Sequence, residues 1–287
     1  AYSVYYMGIN IGGFFAPLVC GTVGELYGWH YGFALAGFGM LTGLAVYLGG
    51  GRYLPADPGR RRPQAPRMAA ADRADMLRPL IVLGGVTLVM VLVRGVYEQL
   101  GNTLALWTDT GVDRALGGFT IPMTWFQSIN PLVIILGTPV ILSVWARAAA
   151  RGKELSSVAK MSLGAVIFAA AFLALAGLGA WLDGERAHWS LLALFIIAMT
   201  VGELYIFPVG LSLFGRLAPE KLSAFTIAIW FSSAFAGNLL AGLLGTLWSR
   251  LPPEQFFAIL AAVALLGAAL LLLFRDRIAN LEAELKR

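Results

Sequence analysis

The stretch Ala258–Phe274, AILAAVALLGAALLLLF, decides the fold class. It has no charge and no polar side chain over 17 residues, and it is apolar on every face of a helix rather than along one stripe. Strand-like alternation of apolar and polar positions is absent. A segment of this kind, extended to about 20 residues, spans a hydrocarbon layer. In lipid a lone segment satisfies its own backbone only as a helix.

Seven further runs of the same character lie upstream. The eight run roughly over 2–23, 30–49, 79–107, 119–145, 157–182, 189–214, 223–247 and 255–274, and they take up most of the 287 residues. The whole chain agrees: 59% hydrophobic, 13% charged, mean hydropathy +0.76, against about 25% charged in an ordinary soluble domain. This is an all-α membrane protein, and the bilayer is its solvent. A water-soluble enzyme is excluded. The net charge of +5 would suit a nucleic-acid binder, but the basic residues lie in loops between apolar runs, so no nucleic-acid partner is expected. Cys20 is the single cysteine, so no intrachain disulfide forms.

Lys and Arg set the orientation. Seven basic residues lie between Arg52 and Arg78, four between Arg147 and Lys160, two at Arg216 and Lys221, and four after Phe274. These seventeen face only Arg114, Arg186 and Arg250 on the other side, with Arg94 inside a span. Both chain ends and the long 50–77 loop are therefore placed on the cytoplasmic side, with a bacterial inner membrane as the expected location. The chain opens at Ala1 already inside an apolar run, with no charged start, which reads as a trimmed or partial chain.

The 50–77 stretch (Tyr53-Leu-Pro-Ala-Asp-Pro-Gly-Arg-Arg-Arg-Pro within it) is the natural boundary. Two helices precede it, residues 1–49, and six follow, residues 78–275, with a tail at 276–287 that reads as a helix leaving the membrane into water. Six helices after a long cytoplasmic linker is the plan of one half of a major-facilitator-type bundle. The two helices before it would be the end of the other half, whose remaining helices are absent from this sequence.

Polar groups at bilayer depth are costly and usually face a cavity or a partner. Five lie near helix centres: Asn10, Arg94, Glu98, Asn130 and Glu203. Together they suggest a midplane binding site; the alternative is amide glue between helices and a structural Arg94–Glu98 pair. Trp230 lies inside the seventh span, where it walls a pocket or packs in the core. Trp125, Trp145, Trp181, Trp189 and Trp248 near span ends read as interfacial anchors. The pairs Gly8/Gly12 and Gly39/Gly43 read as close-packing sites, and Pro131 and Pro208 as bends. His30 and His188 lie at helix ends, where no metal site is expected. Ser212 and Ser232 have no histidine or lysine at depth to activate them, so the chain is not expected to be an enzyme.

At this point a resemblance becomes specific. Tyr5-Tyr-Met-Gly-Ile-Asn-Ile-Gly-Gly-Phe-Phe-Ala-Pro-Leu with Gly28-Trp-His-Tyr-Gly-Phe, Tyr97-Glu-Gln-Leu-Gly-Asn-Thr-Leu, Trp125-Phe-Gln-Ser-Ile-Asn-Pro, Gly202-Glu-Leu-Tyr-Ile-Phe-Pro-Val-Gly-Leu-Ser and Trp230-Phe-Ser-Ser-Ala-Phe-Ala-Gly-Asn resemble the proton-coupled oligopeptide transporters, in that family's order and over essentially the whole chain. Aligned so, the eight spans correspond to helices five to twelve of a twelve-helix carrier. The resemblance implies proton-driven symport of di- and tripeptides, with protons as the coupling ion and no other cofactor. It implies that Asn10, Asn130 and Glu203 surround the peptide amino terminus, that Trp230 lines a side-chain pocket, and that Glu98 takes part in charge switching, with Arg94 its neighbour. The chemistry agrees, because an ammonium group entering a low-dielectric cavity needs a carboxylate and amide oxygens. Arg94 stands where the family often has tryptophan, and the family's first-helix acidic motif and fourth-helix lysine have no counterpart in this sequence. A carrier of another substrate, such as an amino-acid conjugate, nitrate or a peptide-like drug, is the alternative.

Overall fold

The computed structural model of the chain describes residues 2–53, 70–219 and 222–284. Among them are eight helical segments long and apolar enough to span a membrane, at Met7–Tyr27, Trp29–Gly49, Leu77–Thr110, Met123–Ala150, Ser157–Leu182, Trp189–Leu217, Ser223–Gly245 and Pro253–Leu272. The eight expected spans are all found.

The first span is helix α1 (Tyr2–Ala16), a π turn at Pro17–Gly21 and helix α2 (Thr22–Tyr27). Pro17 brings no N–H to the ladder and its ring crowds the preceding turn, which is where a helix widens. Gly28, at φ 118°, then reverses the chain into α3 (Trp29–Gly49). The hairpin closes tightly because Gly32 lies against the Cys20 carbonyl: a Cβ there would stand 2.6 Å from that oxygen.

The third span is not one helix. Helix α4 (Ala70–Tyr97) tightens into a 3-10 turn at Glu98–Gly101 and resumes as α5 (Thr103–Thr110). Gln99, wholly buried, bridges the break: its amide nitrogen donates to the carbonyls of Gly95 at 3.3 Å and Ala241 at 3.0 Å, and its oxygen accepts from Thr103 Oγ1 at 2.7 Å. Those bonds satisfy backbone that a broken helix leaves exposed in lipid. Two-residue strands follow on the same side: β1 (Val112–Asp113), β2 (Ala115–Leu116) and β3 (Phe119–Thr120), with β2 antiparallel to β3. A 3-10 turn at Met123–Ser128 then leads into α6 (Ile129–Ala150) and, after a loop, α7 (Ser157–Leu182). Strand β4 (Ala187–His188) pairs in parallel with β1 and leads into α8 (Trp189–Leu217), α9 (Ser223–Gly245), α10 (Pro253–Leu272) and α11 (Arg275–Glu284).

Helices α4 and α7–α10 surround one core that includes Leu83, Met90, Phe168, Phe172, Phe214, Phe256 and Phe257. The close approach is made by glycine. A Cβ on Gly164 of α7 would lie 2.6 Å from the Gly202 carbonyl of α8, and one on Gly237 of α9 would lie 2.4 Å from Arg94 Cβ.

Several expectations need correction. Gly8, Gly12, Gly39 and Gly43 meet no atom of this chain within 4 Å of an added Cβ, so the close packing expected at them is not made within the described residues. Helix α4 begins at Ala70, inside the stretch read as loop, while residues 54–69 lie outside the described residues. The tail helix is mostly exposed but does not stand free of the bundle. Helix α11 turns back under the bundle, burying Ile278 and Leu281 against α4 and α7, and Glu284 and Glu282 pair with Arg78 at 2.8 Å and Arg216 at 3.3 Å. Two of the expected tryptophan anchors also make contacts within the protein: Trp248 meets Phe256 edge-on and Phe257 at a tilt, and Trp125 Nε1 donates to Thr22 Oγ1 at 2.7 Å.

Candidate functional site

Glu203 lies at the middle of α8, an uninterrupted helix of 29 residues, and its carboxylate is where three spans meet. Tyr97, the last residue of α4, donates its hydroxyl to Glu203 Oε2 at 2.9 Å. Asn130, in the first turn of α6, donates its amide to the same oxygen at 2.6 Å, and the amide also reaches Thr200 Oγ1 at 3.1 Å. Thr200, one turn before Glu203, is held by its own bond to the Ile196 carbonyl at 2.8 Å. The second carboxylate oxygen, Oε1, accepts no hydrogen bond from the described residues. A carboxylate fixed by two donors on one oxygen and open on the other is built to accept a cation's N–H.

Asn10 is the one buried position between Met7 and Ala16, on a helix that packs on α6 and the turn before it. It thus stands on the same side of α6 as the α1 contact, while Asn130 and Glu203 meet directly.

Arg94 is placed differently from the sequence expectation. Four residues before Glu98 on a regular helix, it would share a face with it. The 3-10 turn starts at Glu98, and the two make no ion pair within 4.0 Å. Instead the Arg94 guanidinium lies 4.0 Å above the Phe207 ring and 5.8 Å from that of Trp230. Glu98 stands beside the Asn238 amide of α9 and lines a cavity of about 240 Å³ with Tyr97, Gln127 and Asn130. Trp230 is 1% exposed and is seated on Gly210, where an added Cβ would be 2.1 Å away, with Phe214 at 5.0 Å. It therefore backs Arg94 rather than opening onto a pocket.

A second polar centre was not singled out in the sequence. Near the end of α2, Glu25 accepts from the backbone N–H groups of Met123 at 3.0 Å and Thr124 at 2.9 Å and from Thr124 Oγ1 at 2.9 Å. It also lies 3.6 Å from Arg114, which is held by Asp109 at 3.0 Å. One carboxylate thus caps the free N–H groups of the turn before α6. Ser128 adds a bond to the Phe14 carbonyl at 2.8 Å. Neither Tyr97 nor Thr200 was singled out either. Tyr97 carried a signal, as a tyrosine adjoining the Arg94–Glu98 pair, whereas Glu25 looks like any acid at a helix end.

With this geometry in hand, comparisons with known proteins are specific. The family model described as POT family matches residues 1–70 and 62–262. The chain is 28% identical to an uncharacterized transporter, YclF, of Bacillus subtilis (strain 168), over 95% of this chain and 66% of that protein. It is 28% identical to the peptide transporter YePEPT of Yersinia enterocolitica, over 85% of this chain and 60% of that protein, and 25% identical to the di-/tripeptide transporter of Lactococcus lactis subsp. cremoris, over 99% and 69%. The chain thus spans 60% to 69% of the length of these three relatives. A crystal structure of peptide transporter POT in complex with sulfate superposes with a TM-score of 0.81 at 26% identity, covering 98% of this chain and 68% of that one.

Proposed function

The chain belongs to the POT family, and from that premise we propose that it is part of a carrier that moves di- and tripeptides across a bacterial cytoplasmic membrane together with protons. In this reading residues 1–49 are the last two helices of one half, 78–275 are the six-helix second half, and both chain ends are cytoplasmic. The substrate lies between the halves, which open alternately to the two sides.

One observation carries the proposal: the Glu203 carboxylate, inside the membrane, with Tyr97 and Asn130 on one oxygen and the other left open. A peptide ammonium meets a charged acceptor there, with Asn10 contributed from the other half. A proton on Glu203 removes the countercharge and weakens the hold on the amine, so proton and peptide affinities are linked through one group. The gradient supplies about 2.3 kcal/mol per charge per 100 mV. Trp230 acts behind Arg94, and Glu98 is the second acid of the site. The Glu25 contacts close the outer end between the halves.

The test is uptake of labelled Ala-Ala by the complete carrier in liposomes with an inward proton gradient. Accumulation that collapses with the gradient is expected. Uptake indifferent to the gradient contradicts proton coupling, and no uptake contradicts the peptide reading.

A further inference from the structure

The Glu203 pole accounts for a substrate's positive end and leaves a cation in the same site without a task. Arg94 is fixed along its whole length. Its Cβ sits where Gly237 of α9 lets the backbone approach, its guanidinium carbon rests 4.0 Å over the Phe207 ring of α8, and the Trp230 ring lies 5.8 Å from it. Yet it forms no ion pair within 4.0 Å among the described residues, and its Nε is buried without a hydrogen bond. A guanidinium placed for structure finds a carboxylate or carbonyls, because burying an unmatched charge is costly. One aromatic face holds this guanidinium while leaving N–H groups at its edge unused, and that planar edge matches a carboxylate's two oxygens.

Its place relative to Glu203 is informative. Phe207 follows Glu203 by four residues on α8, so Arg94's seat lies about 6 Å from the Glu203 level along that helix. Tyr97 links the two poles, donating to Glu203 while its ring packs on Phe207 at 4.9 Å. A negative and a positive group one turn apart fit a small substrate that carries both an amine and a carboxylate.

We propose that Arg94 is a carboxylate-recognising residue of the substrate site, so that this carrier selects substrates whose carboxylate lies about one helical turn's distance from the amine held by Glu203. The inference rests on the peptide-carrier reading. The carboxylate comes either from an acidic first side chain or from the chain terminus of a short substrate.

The experiment is competition against labelled Ala-Ala uptake by the complete carrier. One arm compares Asp-Ala with Asn-Ala, the other Ala-Ala with Ala-Ala amide, each in wild type, Arg94→Gln and Arg94→Lys. In wild type at least one carboxylate-bearing competitor is expected to be better than its neutral partner by about tenfold or more. That ratio should fall to near one in Arg94→Gln and be partly kept in Arg94→Lys, whose charge persists without the planar fork. The arm that responds identifies the source of the carboxylate. If wild type carries Ala-Ala but shows no preference in either arm, or if the preference survives in Arg94→Gln, the inference is overturned. An Arg94 that serves only in charge switching lowers uptake of all four peptides alike and leaves the ratios intact, which also overturns it. No Ala-Ala uptake in wild type defeats the peptide reading and this inference with it.

Discussion

Helices α3 and α10 are both long and apolar enough to span a membrane, and the rest of this chain surrounds them unequally. Among the residues of this chain, which spans 60% to 69% of its relatives' length, Phe33 and Met40 of α3 are 72% and 77% exposed, while Phe256, Leu260, Ala264 and Leu271 of α10 are wholly buried. Apolar character brings a helix into lipid and does not select its neighbours, because lipid tails are as apolar as a leucine side chain. What selects them here is close backbone approach in the six-helix part and polar bonding at the junction with residues 1–49. The bundle is locked at Gly164, Gly202, Gly237 and Gly267. The two-helix hairpin is tied to it through Glu25, Thr22 and the Phe14 carbonyl.

The sharpest way to break the contrast is at a bundle glycine. Gly164→Val places a side chain against the Gly202 carbonyl and Ile206 with no room to shift, so it should destabilise the bundle by about 3 kcal/mol and depress folded yield in detergent. The junction should fail more gently and more locally. Glu25→Ala leaves the Met123 and Thr124 N–H groups without an acceptor and should weaken the hairpin's attachment by about 2 kcal/mol. Hydrogen exchange should quicken at residues 123–128 while α7 and α10 keep their protection. Gly39→Ala in α3, by contrast, meets no atom among the described residues of this chain and should, in the chain alone, be neutral or stabilising by about 0.5–1 kcal/mol through helix propensity; destabilisation in the complete carrier would show that a neighbour outside this chain uses the missing Cβ.

A smaller effect is expected at the loop between α6 and α7. The Lys160 ammonium, 2.7 Å away, holds the Glu154 carboxylate below its usual range. A depressed acid contributes stability that is fully present above the ordinary carboxylate value, about 4.3, and is lost as pH falls through the lowered one. Because Glu154 is solvent-exposed, screening leaves little of this. Melting curves from pH 7 to pH 3 should show a slightly shallower acid-side loss in Glu154→Gln, near the limit of detection.

The eight spans were legible because composition alone dictates them, and Glu203 and Asn130 because polarity at bilayer depth is conspicuous. The Arg94–Glu98 relation was not, since equal spacing along a helix assumes that the helix continues, and Gln99 makes a break there tolerable. The glycines that pack within this chain were not legible for a related reason. Gly39 and Gly43 have the same four-residue spacing as productive pairs, and only the neighbour opposite decides whether a missing Cβ is used. Helix α11 reads as soluble from its charges, while two buried residues, Ile278 and Leu281, fold it back against the bundle.

The central claim is that Glu203 holds a substrate amine, and one measurement addresses it directly: competition by Ala-Ala and by N-acetyl-Ala-Ala in wild type and in Glu203→Gln. Wild type should prefer the free amine strongly, and Glu203→Gln should erase most of that preference by weakening Ala-Ala about tenfold or more while hardly changing the acetylated peptide. Equal losses for both peptides would contradict the claim and return Glu203 to a purely structural contact among α4, α6 and α8.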